Sequence, residues 1–342
     1  MNFLAQGTGA AIQTAMRGDA DMIMVHDPVQ ENTFLTNGYG VNRKIIAYNF
    51  YVIVGPADDP AHISGMAPLD ALKQIYNLSQ TNSNIKWVSR NDSSGTYSKE
   101  KALWTAAGLS INTLSQNTTW FKSTGSGMGQ TLLIANELGG YTLSDSGTYL
   151  AYYNNNNIQL KIAVQAQKDL LNVYSVIADN PLNANLTGTH FDAEMLFIQY
   201  MVSDEGQQIL ANYGKATYGQ ALFNPFVPIA TGASPNATLL SWIQSYAYIN
   251  ATNAINANGT ECPQQYRYNA GNLYSAPYDA IPSAVPAATL NPSHQLSSNE
   301  ELQVTVNYAD NAFPQLLIST YTPLATTESN TAASGKSNLW SY

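Results

Sequence analysis

The sequence IKWVSRNDSSGTYSKEKALWTAA, residues 85–107, places an apolar run, a loop of small polar residues and a helical pattern one after another. The run at residues 85–88 predicts a buried strand, and the pattern at residues 96–107 predicts a helix. A loop that leaves a strand and enters a helix is typical of the βα unit, from which mainly parallel sheets are built. This stretch therefore indicates an α/β fold.

Strand-like runs and helical patterns alternate over the first two thirds of the chain. Further strands are predicted at residues 22–26, 44–54, 141–143, 158–164 and 173–178, and further helices at residues 10–17, 29–35, 68–78, 129–138, 190–202 and 204–213. Beyond about residue 226, Pro, Ala, Ser, Asn, Thr and Tyr dominate, and only residues 242–249 and 302–308 have the pattern of ordered elements. Residues 226–342 are therefore predicted to form a C-terminal extension with some β character.

The composition excludes several classes of function. Charged residues make up 11% of the 342 residues, against about 25% in an average protein. A net charge of −9 leaves no basic surface for nucleic acid. The single cysteine, Cys262, cannot form an internal disulfide or a thiolate metal site. No apolar run is long enough to predict a membrane span.

Seven N-x-S/T sequons indicate an exported protein, extracellular or on the cell surface, that carries glycans. The low content of Lys and Arg suits the acidic exterior of such a protein. N-glycans attach to this tripeptide on the surface of secreted proteins. The candidate glycosylation sites are Asn77, Asn91, Asn117, Asn185, Asn236, Asn250 and Asn258.

Three loops rich in Gly and hydroxyl residues each precede a predicted helix. They lie at residues 7–9, 89–96 and 124–129, and the second contains Arg90. A helix N-terminus offers free N–H donors and a partial positive charge, and Gly allows a ligand to approach the backbone. The guanidinium of Arg90 adds a planar fork that suits an oxyanion. Either these loops form an oxyanion cradle, or they are ordinary capped turns.

Evidence for catalysis is weak. The sequence contains no nucleophile elbow, P-loop, HExxH motif or Rossmann fingerprint, and its four histidines show no i, i+4 pairing. We therefore predict no enzyme activity, no catalytic residue and no metal site.

Several segments resemble the tungstate-binding proteins of ABC importers, which belong to the type II periplasmic binding proteins. The matching segments, in the family's order, are GDADMIMVH (18–26), GYGVNR (38–43), VIVGP (52–56) with DDP (58–60), SRNDSSGT (89–96), ALW (102–104), TGSGMG (124–129), YTLSDSGTY (141–149) and YSVIA (174–178). The resemblance covers about residues 1–225. It implies two α/β lobes joined by crossing strands, with an oxyanion held in the cleft and an ABC permease as partner.

By position, the resemblance also assigns the lobes and the ligand contacts. Lobe I would comprise residues 1–50 and 165–225, and lobe II residues 51–164. Tungstate or molybdate would be the ligand, with no other cofactor. The residues that would bind the anion are Thr8, Ser89, Arg90, Ser94, Gly95, Thr96, Ser126 and Gly127.

The chain also departs from the family pattern. The family's first strand, its Thr/Ser-rich ligand loop and the following helix have no counterpart before Met1, and Ser93, Tyr97 and Ser146 replace the usual Asp, His and Arg. Asn91 places a sequon inside the expected cradle, where a glycan would obstruct the cleft. These departures leave an alternative: a surface protein on the same fold, a homo-oligomer that forms a filament or layer, with residues 302–308 as a strand donated to a neighbour.

Overall fold

The computed structural model describes residues 2–274, 300–307 and 315–323. The helices are α1 (Thr8–Met16), α2 (Pro28–Thr36), α3 (Pro68–Ser79), α4 (Gly95–Ala106), α5 (Ile111–Leu114), α6 (Met128–Leu138), α7 (Ser146–Asn154), α8 (Phe191–Val202), α9 (Asp204–Asn212), α10 (Lys215–Tyr218), α11 (Val227–Ala230) and α12 (Ala237–Ala247). The strands are β1 (Met22–Val25), β2 (Gly40–Gly55), β3 (Trp87–Ser89), β4 (Phe121–Ser123), β5 (Thr142–Asp145), β6 (Lys161–Val164), β7 (Leu171–Asp179), β8 (Asn224–Pro225), β9 (Glu300–Asn307) and β10 (Gln315–Pro323).

Strand β2, with 16 residues, joins the two halves of the fold. Between Gly40 and Phe50 it pairs with β7, and between Tyr51 and Gly55 it pairs with β5 and β6. Its side chains are buried almost throughout, as expected for a strand that is covered on both faces. The predicted two-lobed α/β fold is confirmed, and β2 is one of its crossing strands.

The direction of the strands corrects the expectation of mainly parallel sheets. The pairings of β1, β5, β6, β7 and β8 in the six-stranded sheet are all antiparallel. Parallel pairing is found between β3 and β4, and Trp87 forms a parallel bridge with Tyr141. The reason lies in the connections: β3 and β4 are joined through helices α4 and α5, whereas β2 runs through both halves and its neighbours return against it.

Helix α4 and the loop before it are held by a tryptophan-rich core. The indole rings of Trp87 and Trp104 meet edge to face at 5.2 Å, and those of Trp104 and Trp120 at 6.2 Å. All three residues are buried, together with Ile75 of α3 and Leu143 of β5. Edge-to-face aromatic pairs add stability beyond the burial of their area. Strand β3 and helix α4, which flank the loop, therefore share one aromatic core.

The segment that follows residue 226 packs into the main body as far as Tyr274. Helix α12 buries Leu239 and Ile243 in a cluster with Ile45 of β2 and Val173 of β7. Glu261, which follows α12 in the chain, makes two contacts with β2. Its carbonyl accepts a hydrogen bond from Arg43 at 2.6 Å, and its carboxylate forms an ion pair with Lys44. Residues 226–274 thus share the core of the preceding lobe.

Strand β9 pairs antiparallel with β10 of the same chain, from Glu300 opposite Pro323 to Asn307 opposite Gln315. This pairing speaks against the hypothesis that residues 302–308 are donated to a neighbour; Tyr308 itself lies outside the described residues. Among the described residues, no helix has the length and apolar character that a membrane crossing requires.

Candidate functional site

The first two predicted loops meet in the structure. Gly9 donates its N–H to the carbonyl of Ser93 at 3.2 Å. A methyl group added to Gly95 would lie 3.0 Å from Thr8 Oγ1 and 2.8 Å from His26 Cε1. Because such contacts are too short for a side chain, Gly95 allows the N-terminus of α4 to approach the N-terminus of α1. Two helix N-termini therefore face one small region.

Asp92 holds the loop before α4 in shape. Its Oδ1 accepts from the Ser94 hydroxyl at 2.5 Å and from the Ser94 N–H at 3.2 Å. Its Oδ2 accepts from Arg90 Nη2 at 2.5 Å. Ser94 in turn caps α4, because its hydroxyl accepts the N–H of Tyr97 at 3.1 Å. The carboxylate of Asp92 thus positions both the guanidinium and the helix cap.

Two buried donors of the site have no hydrogen-bond partner among the residues that the structure describes. They are the hydroxyl Oγ1 of Thr8 and the Nε of Arg90. Thr8 is 2% exposed, and the Arg90 side chain is 13% exposed. The other nitrogens of Arg90 contact Asp92 and, at 3.4 Å, the hydroxyl of Thr96. A buried donor without a partner costs about 1–3 kcal/mol, so a ligand with oxygen acceptors would stabilise this arrangement.

The third predicted loop lies beside the second. Thr124 donates its N–H to the carbonyl of Ser89 at 2.9 Å, and its hydroxyl lies 3.3 Å from the carbonyl of Arg90. The Ser126 hydroxyl donates to the carbonyl of Thr124 at 3.1 Å. Gly127 precedes the first turn of α6 and is exposed, with open space around it. The structure therefore brings all three loops together through hydrogen bonds or close backbone contacts.

The hydroxyl of Ser89 is engaged within the protein. It donates to Glu100 Oε2 at 3.0 Å, and Trp87 Nε1 donates to Glu100 Oε1 at 2.7 Å. Burial raises the pKa of Glu100 to about 7, against the lowering effect of these hydrogen bonds. A hydroxyl has one hydrogen to donate. In this arrangement the Ser89 hydroxyl connects the start of the loop to Glu100 of α4. Its contact with an anion stays a prediction.

His26 was not among the predicted site residues; it directly follows β1 and lies next to Gly95. Its Nδ1 is 2.9 Å from the Tyr51 hydroxyl and 3.1 Å from Asn172 Oδ1. Burial lowers the pKa of His26, against the raising effect of Asp145, and so favours the neutral ring. The available signal was its position directly after a buried strand, where α/β folds place ligand contacts.

The sequons differ in their exposure. Asn77, Asn91, Asn117, Asn185, Asn236 and Asn258 are exposed, whereas Asn250 is half-buried and accepts three hydrogen bonds from residues 252 and 254. Asn91 has a φ of +48° and directly follows Arg90. Among the described residues, Asn91 is the only sequon asparagine at the cradle, and it is exposed and accessible to a glycan.

The sequence of this chain is similar to a known family of proteins. The model of the PBP superfamily domain matches residues 1–205. A putative ABC transporter anion-binding protein of Haloferax volcanii is 44% identical over 228 residues, which are 65% of this chain and 62% of that protein's length. The tungstate-binding protein TupA of Peptoclostridium acidaminophilum is 36% identical over 223 residues, which are 65% of this chain and 74% of that protein.

A solved structure agrees with these relatives. The tungstate-binding protein TupA from Desulfovibrio alaskensis is 36% identical, with a TM-score of 0.56 over 66% of this chain and 86% of that chain. The family model matches residues 1–205, and these contain all three loops.

Proposed function

Since the chain belongs to the family of the tungstate-binding proteins within the PBP superfamily, we propose that it is a solute-binding protein of an ABC importer. Its ligand would be a tetrahedral oxyanion, tungstate or molybdate. The observation that carries the proposal is the pair of buried, unpartnered donors, Thr8 Oγ1 and Arg90 Nε, where two helix N-termini meet.

The anion would be held by hydrogen bonds and by charge, without covalent chemistry. The N–H groups at the start of α4, on Gly95 and Thr96, have no acceptor within the helix and carry its positive end. Arg90 supplies the formal positive charge, and Asp92 orients its guanidinium. Ser126 and Gly127 would contribute from the third loop, and Ser94 through its position as the helix cap.

The continuous strand β2 suggests how the site would close. Because β2 pairs with β7 in one half and with β5 and β6 in the other, bending near Tyr51 would move the two halves relative to each other. Closure of this kind would enclose the anion and remove its water. An open form that releases the anion to a permease completes the proposed transport role.

We also infer that the protein acts outside the cytoplasm and carries N-glycans at exposed sequons. Asn117 and Asn185 are exposed and distant in sequence from the three loops. A glycan on Asn91 would stand next to Arg90 and block the entry of an anion. Anion binding therefore requires that Asn91 stays unmodified.

Isothermal titration with tungstate, molybdate and sulfate tests the proposal. Arg90→Ala should weaken tungstate binding by at least about 100-fold, because it removes a charge-assisted donor in a buried site. Arg17→Ala is the matched control, since Arg17 is 60% exposed and pairs with Asp19. If folded wild-type protein binds none of the anions, or if both variants bind tungstate equally well, the proposal is wrong.

A further inference from the structure

A cavity of about 310 Å³ lies between α4 and α12, and none of its lining residues belongs to the three loops. Leu69, Leu103 and Trp242 form much of its apolar wall, and Lys99, Lys168 and Asp169 supply charge. Ligand pockets in proteins begin at about this size and combine apolar walls with a few polar groups. The cavity is therefore large enough for a small organic molecule.

Lys99 is the unusual member of this wall. It is 7% exposed, and within the described part of the chain no carboxylate lies within ion-pair distance of its ammonium group. Its Nζ lies 4.2 Å from the ring centroid of Tyr246. Burial lowers the pKa of Lys99 to about 8, against the raising effect of Asp169 and Asp27, so the amine still carries its charge at pH 7. A buried cation is costly unless an anion accompanies it.

We propose that this cavity is a second ligand site, separate from the oxyanion cradle, that binds a small organic carboxylate with a flat apolar body. The carboxylate would pair with Lys99, and Lys168 at the exposed rim would favour the approach of an anion. The apolar body would lie against Leu103 and the ring of Trp242.

The walls also distinguish this ligand from an inorganic oxyanion. Tungstate needs many donors around all its oxygens, and here the lining is mostly apolar, with one buried cation. A dianion would leave one of its charges without a buried counterion, because Lys99 is the one buried cation of the lining. A monocarboxylate with an aromatic ring uses both the cation and the apolar wall. This inference goes beyond the proposed transport function and does not depend on it.

Isothermal titration of the full chain with benzoate tests the site, with phenol and acetate as probes that lack the charge or the ring. We expect one benzoate per chain and weaker binding of the two other probes. Lys99→Met should weaken benzoate binding by at least about 10-fold, because it removes the counterion. Lys101→Met is the matched control: Lys101 lies on the same helix, is exposed and does not line the cavity.

A second variant separates loss of the site from loss of the fold. Ala102→Trp would fill the cavity from an exposed position of α4 and leave Lys99 in place. It should abolish benzoate binding in protein with the far-UV spectrum of the wild type. Arg90→Ala should leave benzoate binding unchanged, which distinguishes this site from the cradle. Absence of benzoate binding in the wild type, full binding by Ala102→Trp, or loss with Arg90→Ala overturns the proposal.

Discussion

Replacing Glu261 with alanine should cost this protein a large part of its stability. The Glu261 carboxylate is fully buried, pairs with the Lys44 ammonium group and accepts the N–H of Ile45 at 3.1 Å. The change leaves Lys44 buried without its carboxylate partner. Breaking a buried ion pair in this way costs about 3–5 kcal/mol, against a total of about 5–15 kcal/mol for a typical folded domain. We therefore expect the free energy of unfolding to fall by about 3–5 kcal/mol.

Urea unfolding followed by circular dichroism measures this change. Asp19→Ala is the control, because the Arg17–Asp19 ion pair, at 2.9 Å, has both side chains about 60% exposed and should contribute no more than about 1 kcal/mol. The double variant Lys44→Met/Glu261→Leu should recover stability relative to Glu261→Ala, since it removes both charges. If Glu261→Ala costs no more than the control, residues 237–274 do not dock on β2 through the Lys44–Glu261 ion pair.

Three further predictions concern other parts of the molecule. Burial raises the pKa of Asp179 to about 9 and that of Glu194 well above its usual range. The folded protein therefore holds these protons more tightly than the unfolded chain, and their contribution to the free energy of unfolding is fully present below about pH 4. This contribution is lost as the pH rises through about 9. Asp179→Asn, which cannot ionise, should flatten the fall of the melting temperature between about pH 6 and pH 9; an unchanged pH profile would contradict this. Gly95→Ala should reduce tungstate affinity at least about 10-fold, because its methyl group would lie 2.8 Å from His26 and 3.0 Å from Thr8 Oγ1; titration at wild-type strength would refute it. In secreted protein that binds tungstate, mass spectrometry should find Asn91 unmodified, and a glycan there in the binding fraction would count against the proposed cleft.

Local patterns in the sequence predicted much of the fold. Helices α3 and α8 and the buried part of β2 coincide closely with the predicted segments because their apolar residues are strongly periodic or continuous. Helix α7 was not predicted as a helix, because its tyrosines and small residues give no amphipathic pattern. The strand directions could not be read from the sequence, because pairing depends on connections between distant segments.

The same distinction applies to the candidate site. The loops before α1, α4 and α6 could be predicted because Gly and hydroxyl residues at a helix start have a local signature. The hydrogen bond from Ser89 to Glu100 could not, since it depends on how α4 packs against β3. His26 offered one local signal, its position after a buried strand, but only the folded chain places its ring next to Gly95.

Residues 226–274 show what composition does not reveal. Their Pro, Asn and Thr content predicts a C-terminal extension with few ordered elements, and charged side chains connect them to β2 across more than two hundred residues of sequence. Arg43 donates to Glu31 at 2.8 Å and to the carbonyl of Ala247 at 3.0 Å, and Lys44 reaches Glu261. In a chain with few charges, a charged residue would normally be assigned to the surface. Here two adjacent cations on a central strand are buried because Glu31 of α2 pairs with Arg43, and the later segment supplies Glu261 for Lys44 and two carbonyls for Arg43. That complementarity can be recognised only when the distant segments are seen together.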